Sequence, residues 1–329
     1  MKNHKTPTGR DIHQTELIPI VDFDAPLLTF DFPGLQIGVA AYELGPTGCT
    51  VFYFPMGGIA AVDIRGGSPG TLMAGDGWVD AICYAGGSLY GLEAATGVAA
   101  ELFARRHYGI QWREIAKVRA AIIFDFFPRC NPIYPDKVLG QVALRSVRSG
   151  VFPLGAYGAG RSATVGKTFD PNRAEATGQG GAFRQIGPTK LAVFTVVNAM
   201  GAIVDRQGRV VRGQLCPVTG VRTSTLNDLE ERIRTHAEAK TTKGNTTLTL
   251  MVTNQRLELK QLKQLSRQVH SSMARAIHPF HTLDDGDVFY AVTTNEVKND
   301  QLETTALGLL ASELAWDAVL SCCTRHITD

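Results

Sequence analysis

The sequence predicts an α/β (α+β) fold in which stacked β-sheets lie between layers of helices. Three observations lead there. Strand-like apolar runs bounded by turn residues outnumber the long helical segments, the two do not alternate in a regular βαβ rhythm, and the chain closes strand–helix–strand–helix. Buried helices on both sides of stacked sheets satisfy that order. No internal repeat is visible and no Pro/Gly/Ser linker divides the 329 residues, so a single domain 1–329 is expected.

The elements follow in order. The first 25 residues are polar and read as a loosely held arm. Three strand-like runs come next, "LQIGVAAYEL", "CTVFYFP" and "IAAVDIRGG", separated by turn residues. The glycine-rich "YAGGSLYGLEAATGVAAELFARR" leads into a helix, and "AAIIFDF" is a continuous apolar run of the kind found in buried strands. "PDKVLGQVALRSV" is helical, with Pro135 near its first turn. "SATVGKTF" and "KLAVFTVVNAMGAIVD" read as strands, and "LNDLEERIRTHAEAK" as a charged, solvated helix. A polar connection at 237–245 then runs into "TTLTLMVTN", where Thr247 and Thr249 alternate with Leu248, Leu250 and Val252, the pattern of a half-buried strand. Leu259, Leu262, Leu265, Val269, Met273 and Ala276 recur at helical spacing. "DVFYAVTTNEV" is a strand and "TTALGLLASELAWDAVLSC" a mostly buried helix.

Composition removes several function classes. With 33 Lys+Arg against 31 Asp+Glu, a net charge of +2 and no basic cluster, the chain offers nucleic acid no electrostatic footprint. No apolar run reaches the roughly 18–20 residues that span a bilayer, and the N-terminus lacks the apolar core of a secretory signal. The six cysteines show no C-x-x-C spacing, so neither a zinc site nor a disulfide framework is expected. A reduced, cytoplasmic protein without metal or cofactor is the simplest reading.

Six features can carry chemistry. Thr246 stands where the polar connection meets a strand, which is ordinary in itself and is also where a self-processing hydrolase places its nucleophile. "GGSLYGLEAATG" (86–97) has no G-K-[ST] for a phosphate loop and no G-x-S-x-G elbow around Ser88. It reads as close packing of a helix start against a sheet, or as a binding wall that includes Tyr90. In "HTLDDGDVF", Asp285 and Asp287 flank Gly286 as a D-G turn, an incomplete calcium loop, or a carboxylate pair able to orient an amine. His278 and His281 in "HPFH" lack a second ligand pair for a metal. Lys167 lies in strand-like sequence, either outward and solvated or inward and paired. Asn198 interrupts an apolar run, so either the strand ends there or the amide is aimed at something, such as an oxyanion.

Long strings then carry a resemblance: "TFDFPGLQIG", "GPTG", "AICYAGGSLYGLEA", "YPDKVLG", "TGQGGAFR", "GNTT", "QVHSSMARAIHPFHT", "DGD" and "TTALGLLASELAWDAVL". From residue 28 to 321 the chain resembles the self-processing aminopeptidases of the DmpA type, N-terminal-nucleophile hydrolases, and within them the branch that hydrolyses nylon-6 oligomers. The arm and the tail "CTRHITD" lie outside it. The resemblance implies an αββα four-layer sandwich and self-cleavage at Asn245–Thr246 into chains 1–245 and 246–329. It implies Thr246 as nucleophile, with Lys167, Asn198, Asp285 and Asp287 as catalytic residues and Tyr90 in the substrate pocket. It implies hydrolysis of linear amides of 6-aminohexanoate oligomers, with aminopeptidase action on peptides or β-amino acid amides as the alternative. A homotetramer of processed heterodimers is expected, with the apolar "VFYFPMGGIAAV" read as an edge for subunit contacts. An acyltransferase and an unprocessed binding protein are the readings from other classes.

Overall fold

In the computed structural model, residues 16–238, 240 and 243–323 are described. Positions 1–15 of the expected arm, 239, 241 and 242 of the connection, and the tail 324–329 lie outside the described residues. Eight main strands are β1 (Gln36–Tyr42), β2 (Thr47–Ile64), β3 (Gly77–Ala85), β4 (Val118–Ile122), β5 (Gln179–Ile186), β6 (Thr189–Asn198), β7 (Thr246–Gln255) and β8 (Val288–Val297). The helices are α1 (Glu93–Arg105), α2 (Lys137–Arg145), α3 (Thr225–Thr235), α4 (Leu259–Ser272) and α5 (Thr304–Ser321). Among the described residues no helix is long and apolar enough to cross a membrane.

The strands hydrogen-bond in the order β5–β6–β7–β8–β2–β3–β4. That path is folded into two layers at β2. The first half of β2 pairs with β1 and the end of β3, and its second half pairs with β8 and the start of β3. The register against β3 shifts between Tyr53 and Gly58, where Pro55 and Met56 are exposed. What reads in sequence as two strands separated by a turn is therefore one strand with a bulge, which re-aims it from one layer to the other. "VFYFPMGGIAAV" is internal to the sheet, not an edge.

Three apolar clusters fill three interlayer spaces, and side-chain alternation explains each. Between the sheets, Ile37, Val39, Phe52, Phe54, Ile82 and Tyr84 of one layer face Phe194, Val196, Leu248, Leu250, Val252 and Tyr290 of the other. The rings of Phe52 and Phe194 meet at 5.3 Å across that space. On the outer face of the β5–β8 layer, Leu191, Val193 and Met251 pack against Leu262, Leu265 and Val269 of α4 and Leu307, Ala311 and Leu314 of α5. On the outer face of the other layer, Tyr42, Val51 and Cys83 pack against Ala94, Val98 and Leu102 of α1 and Leu139 and Ala143 of α2. The layers therefore run helix, sheet, sheet, helix, as the sequence led us to expect.

Two sequence readings are corrected by this burial. All ten residues of β7 are buried, so it is a central strand covered on both faces. Two hydroxyls of its threonine face are paired: Thr195 and Thr249 oxygens lie 3.0 Å apart, and Thr253 Oγ1 donates to Lys190 O. Leu259, included in the apolar stripe of α4, is exposed at the first turn of the helix.

Candidate active site

The site is built where β6, β7 and β8 share one end of the sheet. In the antiparallel β6–β7 ladder the last pair is Asn198 opposite Thr246. On the other side, β7 runs parallel to β8 from Leu248–Val288 onward, and Asn245 bridges Asp285 ahead of that ladder. Residues 245–247 thus lie beside 285–287, which brings a sequence-distant D-G turn against the threonine.

The backbone there is densely bonded. Thr246 Oγ1 donates to the carbonyl oxygen of Asn245 at 2.5 Å, and the Gly286 N–H donates to the same oxygen at 2.7 Å. The Asn245 N–H donates to Asp284 O at 3.2 Å, and the Thr247 N–H to Asp287 Oδ1 at 2.6 Å. Glycine at 286 is a packing requirement, because a Cβ there would lie 2.8 Å from Thr246 Oγ1.

Asn198 answers the question its sequence position raised in both ways: β6 ends there, and the amide is fully engaged. Its Oδ1 accepts from the Thr164 N–H (3.0 Å) and from Lys167 Nζ (3.2 Å), while its Nδ2 donates to Phe124 O (3.0 Å) and Gly244 O (3.4 Å). Lys167 points inward, not outward into solvent. It follows a two-residue strand, Thr164–Val165, and is buried, with Nζ also donating to Asn198 O at 3.3 Å. Burial lowers its pKa to about 7, against the opposing pull of Asp285.

Asp285 and Asp287 are both fully buried. Asp285 Oδ2 accepts from the Thr282 N–H (2.9 Å) and hydroxyl (2.6 Å), and Oδ1 from the Met200 N–H (3.3 Å). Burial, and then the neighbouring charge of Asp287, push Asp285 above the usual carboxylate range. The turn and carboxylate-pair readings thus both describe this loop. Among the described residues no group of three or more His, Cys, Asp or Glu is arranged to hold a metal ion.

Thr246, Asn245, Asn198, Lys167, Asp285 and Asp287 are therefore brought together, whereas Tyr90 is set back. Its exposed ring lines a cleft of about 510 Å³ with Phe126, Cys130, Asn131, Pro132 and Tyr134. An aromatic path leads inward from it: Tyr90 to Phe126 at 6.5 Å, Phe126 to Phe124 at 5.7 Å, and Phe124 against Gly244. The glycine-rich 86–97 segment packs closely, as read. A Cβ on Gly91 would lie 1.8 Å from Gly86 O, and one on Gly97 would lie 2.0 Å from Lys137 O of α2.

Sequence reasoning missed three contributors. The Gly286 N–H carries no side-chain signal. Thr282 and His281 bond the acidic pair, and His281 was weighed only as a metal ligand. Its six-residue spacing to Asp287 across a D-G turn was the available clue.

The profile of peptidase family S58 matches residues 28–328. The 6-aminohexanoate-oligomer endohydrolase of Agromyces sp. (strain KY5R) is 45% identical over 315 residues, covering 93% of this chain and 88% of the relative. That of Paenarthrobacter ureafaciens is 45% identical over the same coverage. Among solved structures, the L-aminopeptidase D-Ala-esterase/amidase of Ochrobactrum anthropi, described as a variant of the Ntn-hydrolase fold, superimposes with a TM-score of 0.64 at 16% identity, covering 92% of this chain and 88% of that one. A Burkholderia sp. β-aminopeptidase gives 0.60 at 17% identity, covering 94% and 88%. These two likenesses concern the fold.

Proposed function

Because this chain belongs to peptidase family S58, we propose that it is a self-cleaving amidohydrolase that cuts linear amides, 6-aminohexanoate oligomers among them, through an acyl-Thr246 intermediate. One observation carries the mechanism: Thr246 Oγ1 and the Gly286 N–H converge on the carbonyl oxygen of Asn245.

In the uncut chain, Thr246 Oγ attacks the Asn245 carbonyl carbon. Its proton passes to Lys167, which burial leaves partly neutral near pH 7. The oxyanion forms on an oxygen already holding the Gly286 N–H. Collapse breaks the C–N bond, the departing nitrogen takes a proton, and the product is an ester on Thr246 Oγ. Water hydrolyses that ester and leaves chains 1–245 and 246–329. The new α-amino group, with an ordinary pKa of about 7.7–8.0, then serves as base for the hydroxyl beside it. Asn198 Nδ2 donates to Gly244 O before the cut. Once that segment withdraws, the amide is free to donate to a substrate oxyanion. Asp285 and Asp287 orient Thr246 and its amine, and the aromatic cleft at Tyr90 receives the acyl chain.

The substrate class is supported by relatives 45% identical over 93% of the chain that are named for 6-aminohexanoate oligomers. The intact mass of freshly purified protein, under denaturing conditions beside a Thr246→Ala variant, tests the mechanism. We expect two chains in the first, the smaller starting TTLTLMV, and one inactive chain in the second. A Thr246→Ala protein that still hydrolyses the oligomer sinks the proposal. The aminopeptidase alternative is separated by early products: single terminal units rather than mid-length oligomers.

A further inference from the structure

We infer that His281 is a positioning residue for this site: it grips Asp287 so that the carboxylate fixes the peptide that follows Thr246. The inference rests on the reading of Thr246 as nucleophile and adds a residue to it. Both the N–H of His281 (3.2 Å) and its ring Nδ1 (3.0 Å) meet Asp287 Oδ2. The other carboxylate oxygen, Oδ1, accepts the Thr247 N–H at 2.6 Å. Asp287 is fully buried, so these donors take the place of water around its oxygens. A carboxylate only accepts, which places the imidazole proton on Nδ1.

The ring is held from both sides. Phe280 stacks on it at 3.9 Å, and the buried His270 ring stands edge-on at 4.4 Å. His270 is in turn tied through Nδ1 to Asp63 Oδ2 at 2.9 Å, and Asp63 to Arg65. His281 also keeps a left-handed backbone, with φ +59. A non-glycine residue holds that conformation only where its surroundings over-determine it. Nε2 of both histidines and Oγ1 of Thr247 are buried without a partner. This polar pocket lies behind the nucleophile strand, on the α4 side. Lys167 faces Asp285 of the acidic pair, and His270, backed by Asp63 and Arg65, faces Asp287.

The test uses the full chain and reads the first-order rate of self-cleavage and the rate of oligomer hydrolysis across pH, for His281→Gly and His281→Asn. Glycine accepts the left-handed backbone and keeps the N–H, so it removes the imidazole alone. Asparagine also tolerates that backbone and carries an amide N–H near the place of Nδ1–H. Losing a hydrogen bond to a charged group slows both reactions about tenfold to a hundredfold in the glycine variant. The asparagine variant restores most of both rates. A glycine variant with the wild-type rates overturns the inference, and so does an asparagine variant as slow as glycine. Should the glycine variant not fold, His281→Asp replaces it: it matches asparagine in shape and lacks the donor. Thr246→Ala runs alongside. If that protein cuts itself, the nucleophile reading falls whatever the His281 variants do.

Discussion

Lys167 is the site residue whose chemistry burial alters toward that of a base. Burial brings its pKa from 10.5 to about 7, so its neutral fraction rises from about one-tenth at pH 6 to about nine-tenths at pH 8. If it takes the Thr246 proton in the uncut chain, self-cleavage of refolded precursor speeds up about tenfold between those values and levels off above them. A rate that falls across this interval would remove Lys167 from the role of base. The effect on stability has its own sign. Between about pH 7 and 10.5 the unfolded lysine binds a proton the folded one lacks, so this group favours the fold increasingly as pH rises. Asp285, whose pKa is raised, works the other way: the cost of ionising it in the fold grows as pH rises through its elevated range. Thr246 and Asn198 were legible because a hydroxyl at a strand start and an amide in an apolar run are local anomalies. The burial of Lys167 and the grip of His281 on Asp287 were not, because the fold creates both through contacts between distant segments.

At the level of elements, legibility followed periodicity. The strict alternation of β7 identified it as a strand but hid that both faces are covered, since a threonine face reads as solvent-facing until its burial is seen. β3 went unnoticed because "VDAICYA" is interrupted by Asp80 and runs into the glycine-rich segment without a break. The α1–α2 crossing was invisible for the opposite reason: small residues make it. A Cβ on Gly140 would lie 1.9 Å from Ala94 O, and one on Gly97 2.0 Å from Lys137 O. Gly140→Ala must push the helices apart, and we expect it to cost about 1–3 kcal/mol in urea unfolding. Gly75→Ala, where nothing lies within 4 Å, is the control. Equal stability of the two variants would show that the crossing yields freely.

For the whole molecule, the four-layer order was legible because three apolar sets needed three places to be buried. The bend of β2 was not, since Pro55–Gly58 looks like an ordinary turn. The position of β7 has a further consequence. The bond proposed to break lies at the head of a strand paired through to Thr253 with both β6 and β8, with an apolar cluster on each face. Cutting there separates nothing while the sheet persists. It does change the order of the folding reaction. The uncut chain refolds as one body, at a rate independent of concentration. The processed protein, once denatured, must recover its central strand by collision between two chains, with no covalent tether to raise their effective concentration. We expect recovery of processed protein from denaturant to rise with protein concentration, and recovery of Thr246→Ala to be flat until aggregation sets in. Flat recovery for both would mean that chain 1–245 folds without the strand at its centre. Where recovery rises with concentration, the fold is reached most readily as a single chain and afterwards kept by the barrier to opening it, so that its lifetime is set by an unfolding rate.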